Sequence, residues 1–173
     1  MLQRQVRQFT NPASRNWNGL PTTCLFAVTY WMLEELSVAP TTAMFGRIGG
    51  LNTLFCAIAQ AGHRLFAPNI QAGNAHLPAG AVIIFMRPDL SMADHGCVLK
   101  LGLTVGGYNQ TGWFTTAGQD HQYSEHDLGT DLQWVGRTRP LSDRRVQRPI
   151  GGAEQYLYAT PQAVALNLLR PLL

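Results

Sequence analysis

Charge is scarce in this chain. Asp, Glu, Lys and Arg make up 13% of its 173 residues and form no long block, which excludes a polyelectrolyte tail. With 46% hydrophobic residues, the composition predicts one folded domain with its own core. Cysteine is scarce too: Cys24, Cys56 and Cys97 cannot all pair, and their spacing fits neither a disulfide framework nor the paired cysteines of a structural zinc site. At least one thiol is therefore free. No apolar run is long enough to cross a bilayer, so no integral membrane contact is expected. The stretch Met1 to Ser14 is polar and lacks the apolar core of a signal peptide. Secretion would then use a route other than a classical signal peptide; otherwise the expected location is cytoplasmic. The pairs Gly49-Gly50, Gly106-Gly107 and Gly151-Gly152 lack the Lys-Ser/Thr that completes a phosphate loop, which sets nucleotide chemistry aside. Internal repeats and low-complexity segments are absent.

The formal charge of +3 and sequence pI near 9.0 suit mildly anionic surroundings such as a nucleic acid, a membrane surface or a cell wall. Its densest basic stretch, Arg137, Arg139, Arg144, Arg145 and Arg148, is interrupted by Pro140, Asp143 and Pro149 and reads as a solvated loop first and an anion-binding patch second. No nucleic-acid partner is expected.

Helical spacing begins after the arm that carries Asn11-Pro12. Cys24, Leu25, Val28, Trp31, Met32 and Leu36 recur at that spacing, with Thr22 or Thr23 as N-cap and Pro40 beyond the end. A second helix is predicted over Leu51 to Ala61, capped by Gly62, with Cys56 as a small core residue. After Pro78-Ala79-Gly80, the apolar run Ala81 to Met86 predicts a buried strand, and Asp94 to Leu101 a second with His95 at its entrance. Further strands are predicted over Thr104 to Asn109, Trp113 to Thr116, Leu132 to Thr138 and Gln155 to Ala159. Pro161 to Leu169 reads as a final helix. Gln119 to Asp127, with His121 and His126, reads as a loop. Helices first and strands afterwards imply an α+β fold with an antiparallel sheet.

A cysteine at a helix start is favoured as thiolate by the unpaired N–H groups there, and a histidine at a neighbouring strand entrance can serve as its base. Cys24 and His95 occupy those places. A hairpin turning at Gly102 would set Asn109 opposite His95, able to orient the imidazole; a turn at Gly106-Gly107 would make Asp120 the partner instead. His95 and Cys97 alternate on one strand beside Asp94, but two ligands without a second pair are too few for zinc, so no metal is expected. Trp113 and Phe114 either line a cleft or pack in a strand.

Asn18-Gly19 lies ahead of Cys24, with the amide six residues before it, and this resembles the papain-like cysteine peptidases, which carry Gln-Gly there. Pro78-Ala79-Gly80-Ala81-Val82-Ile83-Ile84-Phe85 followed by His95-Gly96-Cys97-Val98-Leu99 is similar to the NlpC/P60 and CHAP amidases, small bacterial branches of that superfamily. Many of those relatives carry Asp where this chain has Ala81. The resemblance implies a papain-like fold over residues 1–173 as a single domain and an oxyanion hole formed by Asn18 with the Cys24 N–H. It also implies hydrolysis of an amide without a cofactor, the substrate being peptide cross-links of bacterial peptidoglycan, as in antibacterial effectors opposed by a cognate immunity protein. A protein-directed protease or acyltransferase with the same Cys-His site, and a non-catalytic binding domain, are the alternatives.

Overall fold

The computed structural model describes residues 24–65, 78–109, 122–128 and 156–173. Its first helix, α1 (Cys24–Glu35), buries every residue from Ala27 to Leu33. A helix buried all round belongs inside a fold, and here it lies under the sheet and beside three further helices, α2 (Thr42–Ile48), α3 (Leu51–Gln60) and α4 (Gln162–Leu169). Pro40 does stand beyond α1, but it also precedes a short helix that the sequence reading passes over. Thr41 caps α2 by accepting a hydrogen bond from the Met44 N–H at 3.2 Å, and the helix buries Met44 and Ile48 while Phe45 packs on Phe26 and Tyr30 of α1.

Among the described residues, six strands form one antiparallel sheet. They are β1 (His63–Arg64), β2 (Val82–Met86), β3 (Ala93–Leu99), β4 (Thr104–Asn109), β5 (Gln122–Asp127) and β6 (Tyr156–Thr160), in the order β1-β6-β2-β3-β4-β5. The described residues are thus α+β with helices against an antiparallel sheet, as composition and element order imply. Side chains alternate across the sheet. Val82, Ile84, Met86 and Val98 join the helices in one core, while Ile83, Phe85, Cys97, Leu99 and Val105 form a second apolar cluster on the other face with Leu157 and Ala159.

Strand β5 corrects the reading of Gln119 to Asp127 as a loop: residues 122–127 pair along their whole length with β4, placing His126 opposite Val105. Without an apolar alternation, the segment Gln-Tyr-Ser-Glu-His-Asp gives no strand signal; among the described residues it is the last strand of the sheet, held by its pairing with β4. The two-residue β1 is likewise too short to be read from sequence. The opening arm, the arginine-rich stretch, Trp113 to Thr116 and Leu132 to Thr138 lie outside the described residues.

Where α3 ends, Gly62 passes so close to β6 that a Cβ there would meet the Ala159 carbonyl oxygen at 2.5 Å, and also the Thr160 hydroxyl. That hydroxyl donates to the Ile58 carbonyl at 2.7 Å, fastening α3 to the sheet. The helix closes on Ala61 and leaves Gly62 just beyond it. Gly62→Ala is expected to cost about 1–3 kcal/mol through overpacking against backbone, read as a drop of several degrees in Tm by calorimetry.

Candidate functional site

Two elements meet where the candidate residues lie. Cys24 is the first residue of α1 among those described, and the first turn of that helix lies on Gly96 of β3. A Cβ on Gly96 would stand 3.1 Å from Leu25 Cδ2 and 3.2 Å from Phe55 Cε1. A side chain there would oblige Leu25 and Phe55 to give way by a few tenths of an ångström. The Cys24 thiol reaches the backbone of Gly96 itself.

The direction of that backbone group follows from the register. Leu99 donates to Ala81 on the β2 side, and Lys100 donates to Thr104 on the β4 side. Alternation then points the Gly96 N–H toward β4. Cys24 therefore meets the seam between β3 and β4 at the level of His95.

The β3–β4 hairpin turns through Leu101 and Gly102, the latter at φ 63°, in the left-handed region that favours glycine. Val98 pairs with Gly106 and Leu99 with Val105. The pairing of β3 with β4 stops at Val98 and Gly106, short of His95 and Asn109, and β5 sets Gln122 opposite Asn109. Gly106 and Gly107 lie within β4, not at a turn. Asn18 and Asp120 lie outside the described residues.

His95 is 1% exposed, and its ring packs edge-on against Phe85, its partner on β2, at 5.3 Å between centroids. This contact sets the imidazole toward the Phe85 and Cys97 face. The structure thus brings Cys24 to the backbone of the strand that carries His95, but on the face packed by the helices, while the imidazole lies on the opposite face against Phe85.

Burial pushes the Cys24 thiol up in pKa. Hydrogen bonding from the backbone of Gly96, Leu25 and Cys24 acts in the opposite direction, and the Asp94 carboxylate adds to the rise. This corrects the sequence expectation of a thiol made acidic by its helix terminus: desolvation of the thiolate outweighs the backbone donors. The sign has a consequence for labelling. A raised pKa keeps Cys24 protonated through neutral pH, so its alkylation by iodoacetamide should keep accelerating above the ordinary thiol range. Peptide mapping after timed labelling at several pH values checks this; a plateau below that range would show an acidified thiol.

Asp94 is the residue that sequence reasoning undervalued. It occupies a bulge, since Phe85 pairs with His95 but Met86 pairs with Ala93. Its Oδ2 accepts from Arg87 Nε at 3.2 Å, and its side chain is only 10% exposed. The signal was available in the spacing: an arginine at the end of one strand and an aspartate at the start of the next face each other across a β hairpin.

The other cysteines are placed differently. Cys97 is fully buried beside Ile83 and Leu99, as its position in a strand predicts. Cys56 is only half-buried, contrary to its reading as a core residue. It borders the core and donates to Asn52 Oδ1 at 3.7 Å, on a helix face that meets the β2–β3 connection. Asn52 fixes that connection, accepting from the Ala93 N–H at 2.8 Å and donating to the Ser91 carbonyl at 3.1 Å.

Among the described residues, no three His, Cys, Asp or Glu side chains are grouped to hold a metal ion, and no helix is long and apolar enough to cross a membrane. No family model, no curated protein and no solved structure matches the chain.

Proposed function

We propose that the chain is a papain-like cysteine hydrolase that cleaves an amide bond, with Cys24 as nucleophile and His95 as general base. The observation that carries this reading is the seating of the Cys24 thiol at the β3–β4 seam, against Gly96 and one residue from His95. For the dyad to act, the imidazole, which lies with Phe85 on the sheet face opposite α1, must come through beside β3 to the Cys24 side. Asn109 would hold the ring by accepting its Nδ1–H. Asn18 and the Cys24 N–H would stabilise the oxyanion.

The raised thiol pKa favours a particular order of events. Because the thiol is protonated at rest, His95 takes its proton as sulfur adds to the carbonyl carbon. The same proton passes to the leaving amine as the C–N bond breaks, and water then hydrolyses the thioester. Chemistry of this kind needs no metal or organic cofactor.

Peptide cross-links of bacterial peptidoglycan are the proposed substrate, by the resemblance of residues 77–109 to small bacterial amidases. An immunity-type protein is the proposed antagonist, and secretion without a classical signal peptide the proposed route. Incubation with purified sacculi, followed by chromatography of released muropeptides and assay of new amino termini, is expected to show cleavage by the native protein and none by Cys24→Ala. Cleavage of proteins but not sacculi would assign a protease. Inertness toward both, with acyl-donor substrates also untouched, would leave a binding domain.

A further inference from the structure

Strand β3 carries one residue more than it can pair with β2. Ala93 pairs with Met86 and Cys97 with Ile83, so Asp94, His95 and Gly96 lie opposite only Phe85 and Ile84. One of the three must bulge, and here it is Asp94: His95 pairs with Phe85 and Gly96 with Ile84. The bulge decides where the imidazole goes. Ala93 and His95 stand two apart and would share a face in a regular strand. Across the bulge they do not: Ala93 joins the helix-side core, and the His95 ring lies against Phe85 on the other face.

We infer that Asp94 is a positioning residue of the proposed site: it holds the bulge ahead of His95, and transfer of that bulge to Gly96 carries the imidazole to the face of Cys24. The consequence for hydrolysis rests on the reading of Cys24 and His95 as a dyad, but the geometry of the bulge does not. With Gly96 as the extra residue, Asp94 would pair with Phe85, and His95 with Ile84, which faces the helices. Ala93 and Cys97 keep their partners, so the change is confined to residues 94–96. Both ends are anchored. Ala93 donates its N–H to Asn52 Oδ1 of α3 at 2.8 Å, and Cys97 packs with Ile83 and Leu99 in the second cluster. Glycine suits the new place, because it has the widest backbone freedom.

Two features hold the bulge at Asp94. Its Oδ2 accepts from Arg87 Nε at 3.2 Å, and after transfer the carboxylate would enter the apolar face of Ile83, Phe85 and Leu157, a costly place for a charge. On the helix side, the imidazole would take the space over Gly96, where Leu25 Cδ2 and Phe55 Cε1 stand 3.1 and 3.2 Å from a Cβ position. Phe55 is fully buried. Leu25 is only partly buried and follows Cys24 directly, so it is the side chain that yields.

Nuclear Overhauser contacts of the His95 ring, measured on the isotope-labelled full chain, report its face without reference to hydrolysis. The native protein should show contacts with the Phe85 ring and none with the Ile84 methyls. Asp94→Leu, whose side chain suits the Phe85 face, should lose about half or more of the His95–Phe85 intensity and gain contacts with Ile84, as the population shifts. Asp94→Asn should shift the ring less, and Asp94→Glu should keep the native pattern. Adding Leu25→Ala to Asp94→Leu should shift it further, although Leu25 and the ring lie on opposite faces; a merely structural role for Asp94 gives no reason for that. Native intensity in Asp94→Leu, no further shift on adding Leu25→Ala, or a ring that leaves Phe85 without reaching Ile84 would overturn the inference. If Asp94→Leu does not fold, Asp94→Asn with and without Leu25→Ala decides by the same contacts. A shifted ring in a protein inert toward every amide substrate would support the bulge transfer and reject the hydrolase reading. Hydrolysis abolished by Cys24→Ala, with the ring unshifted in Asp94→Leu, would reject the transfer and leave the hydrolase reading standing.

Discussion

Replacing Cys24 or His95 by alanine is expected to lower amide hydrolysis by about 10⁴- to 10⁶-fold, the range in which removal of a nucleophile or its base leaves only binding and oxyanion stabilisation. The two losses should not add. A thiol kept protonated by burial has little intrinsic reactivity at neutral pH, so without the imidazole it gains nothing from being present. The double variant Cys24→Ala/His95→Ala should therefore be no slower than either single one. Thermal melts must accompany the kinetics, because His95 is wholly buried against Phe85 and its truncation also removes packing. If His95→Ala retains substantial turnover at unchanged Tm, another group is the base.

The second large effect is expected in packing. Phe55 is fully buried, and its ring edge lies over Gly96 beside Leu25. Phe55→Ala should cost about 3–5 kcal/mol, the transfer loss of a buried aromatic plus the cavity left behind. For a domain of this size that corresponds to a fall in Tm on the order of 10 °C. More than stability is at stake, because the same ring holds the first turn of α1 on the strand. Cys24 alkylation should become faster in Phe55→Ala as the thiol loses cover, measured well below the new Tm. Unchanged labelling with the full loss of stability would show that the seat of Cys24 does not depend on this contact.

Much of the fold could be read from the chain because its strongest patterns are local. The apolar run 81–86, the turn at Gly102 and the periodicity of 24–36 each report directly on a strand, a hairpin or a helix, and the observed elements fall within a residue or two of those bounds. Where the reading failed, the stabilising contacts are distant in sequence. Strand β5 is polar throughout and exists by pairing with β4, and Cys56 lies half-buried on α3 beside Asn52, which binds the β2–β3 connection. Cys24 illustrates the limit for the site. Its place on α1 is legible, but the direction of its pKa depends on how closely β3 is packed against it, which no local pattern encodes. Asp94 belongs to the same class, since its importance arises from a bulge that only the pairing of β2 with β3 reveals.

The central claim is that hydrolysis passes through the Cys24 sulfur. It is tested most directly by following activity on sacculi and the mass of the Cys24 peptide together during slow iodoacetamide inactivation, with and without substrate. The account predicts that activity falls in proportion to the fraction of Cys24 alkylated, that substrate slows both equally, and that buried Cys97 stays unmodified throughout. Full activity in protein whose Cys24 is completely alkylated would contradict it.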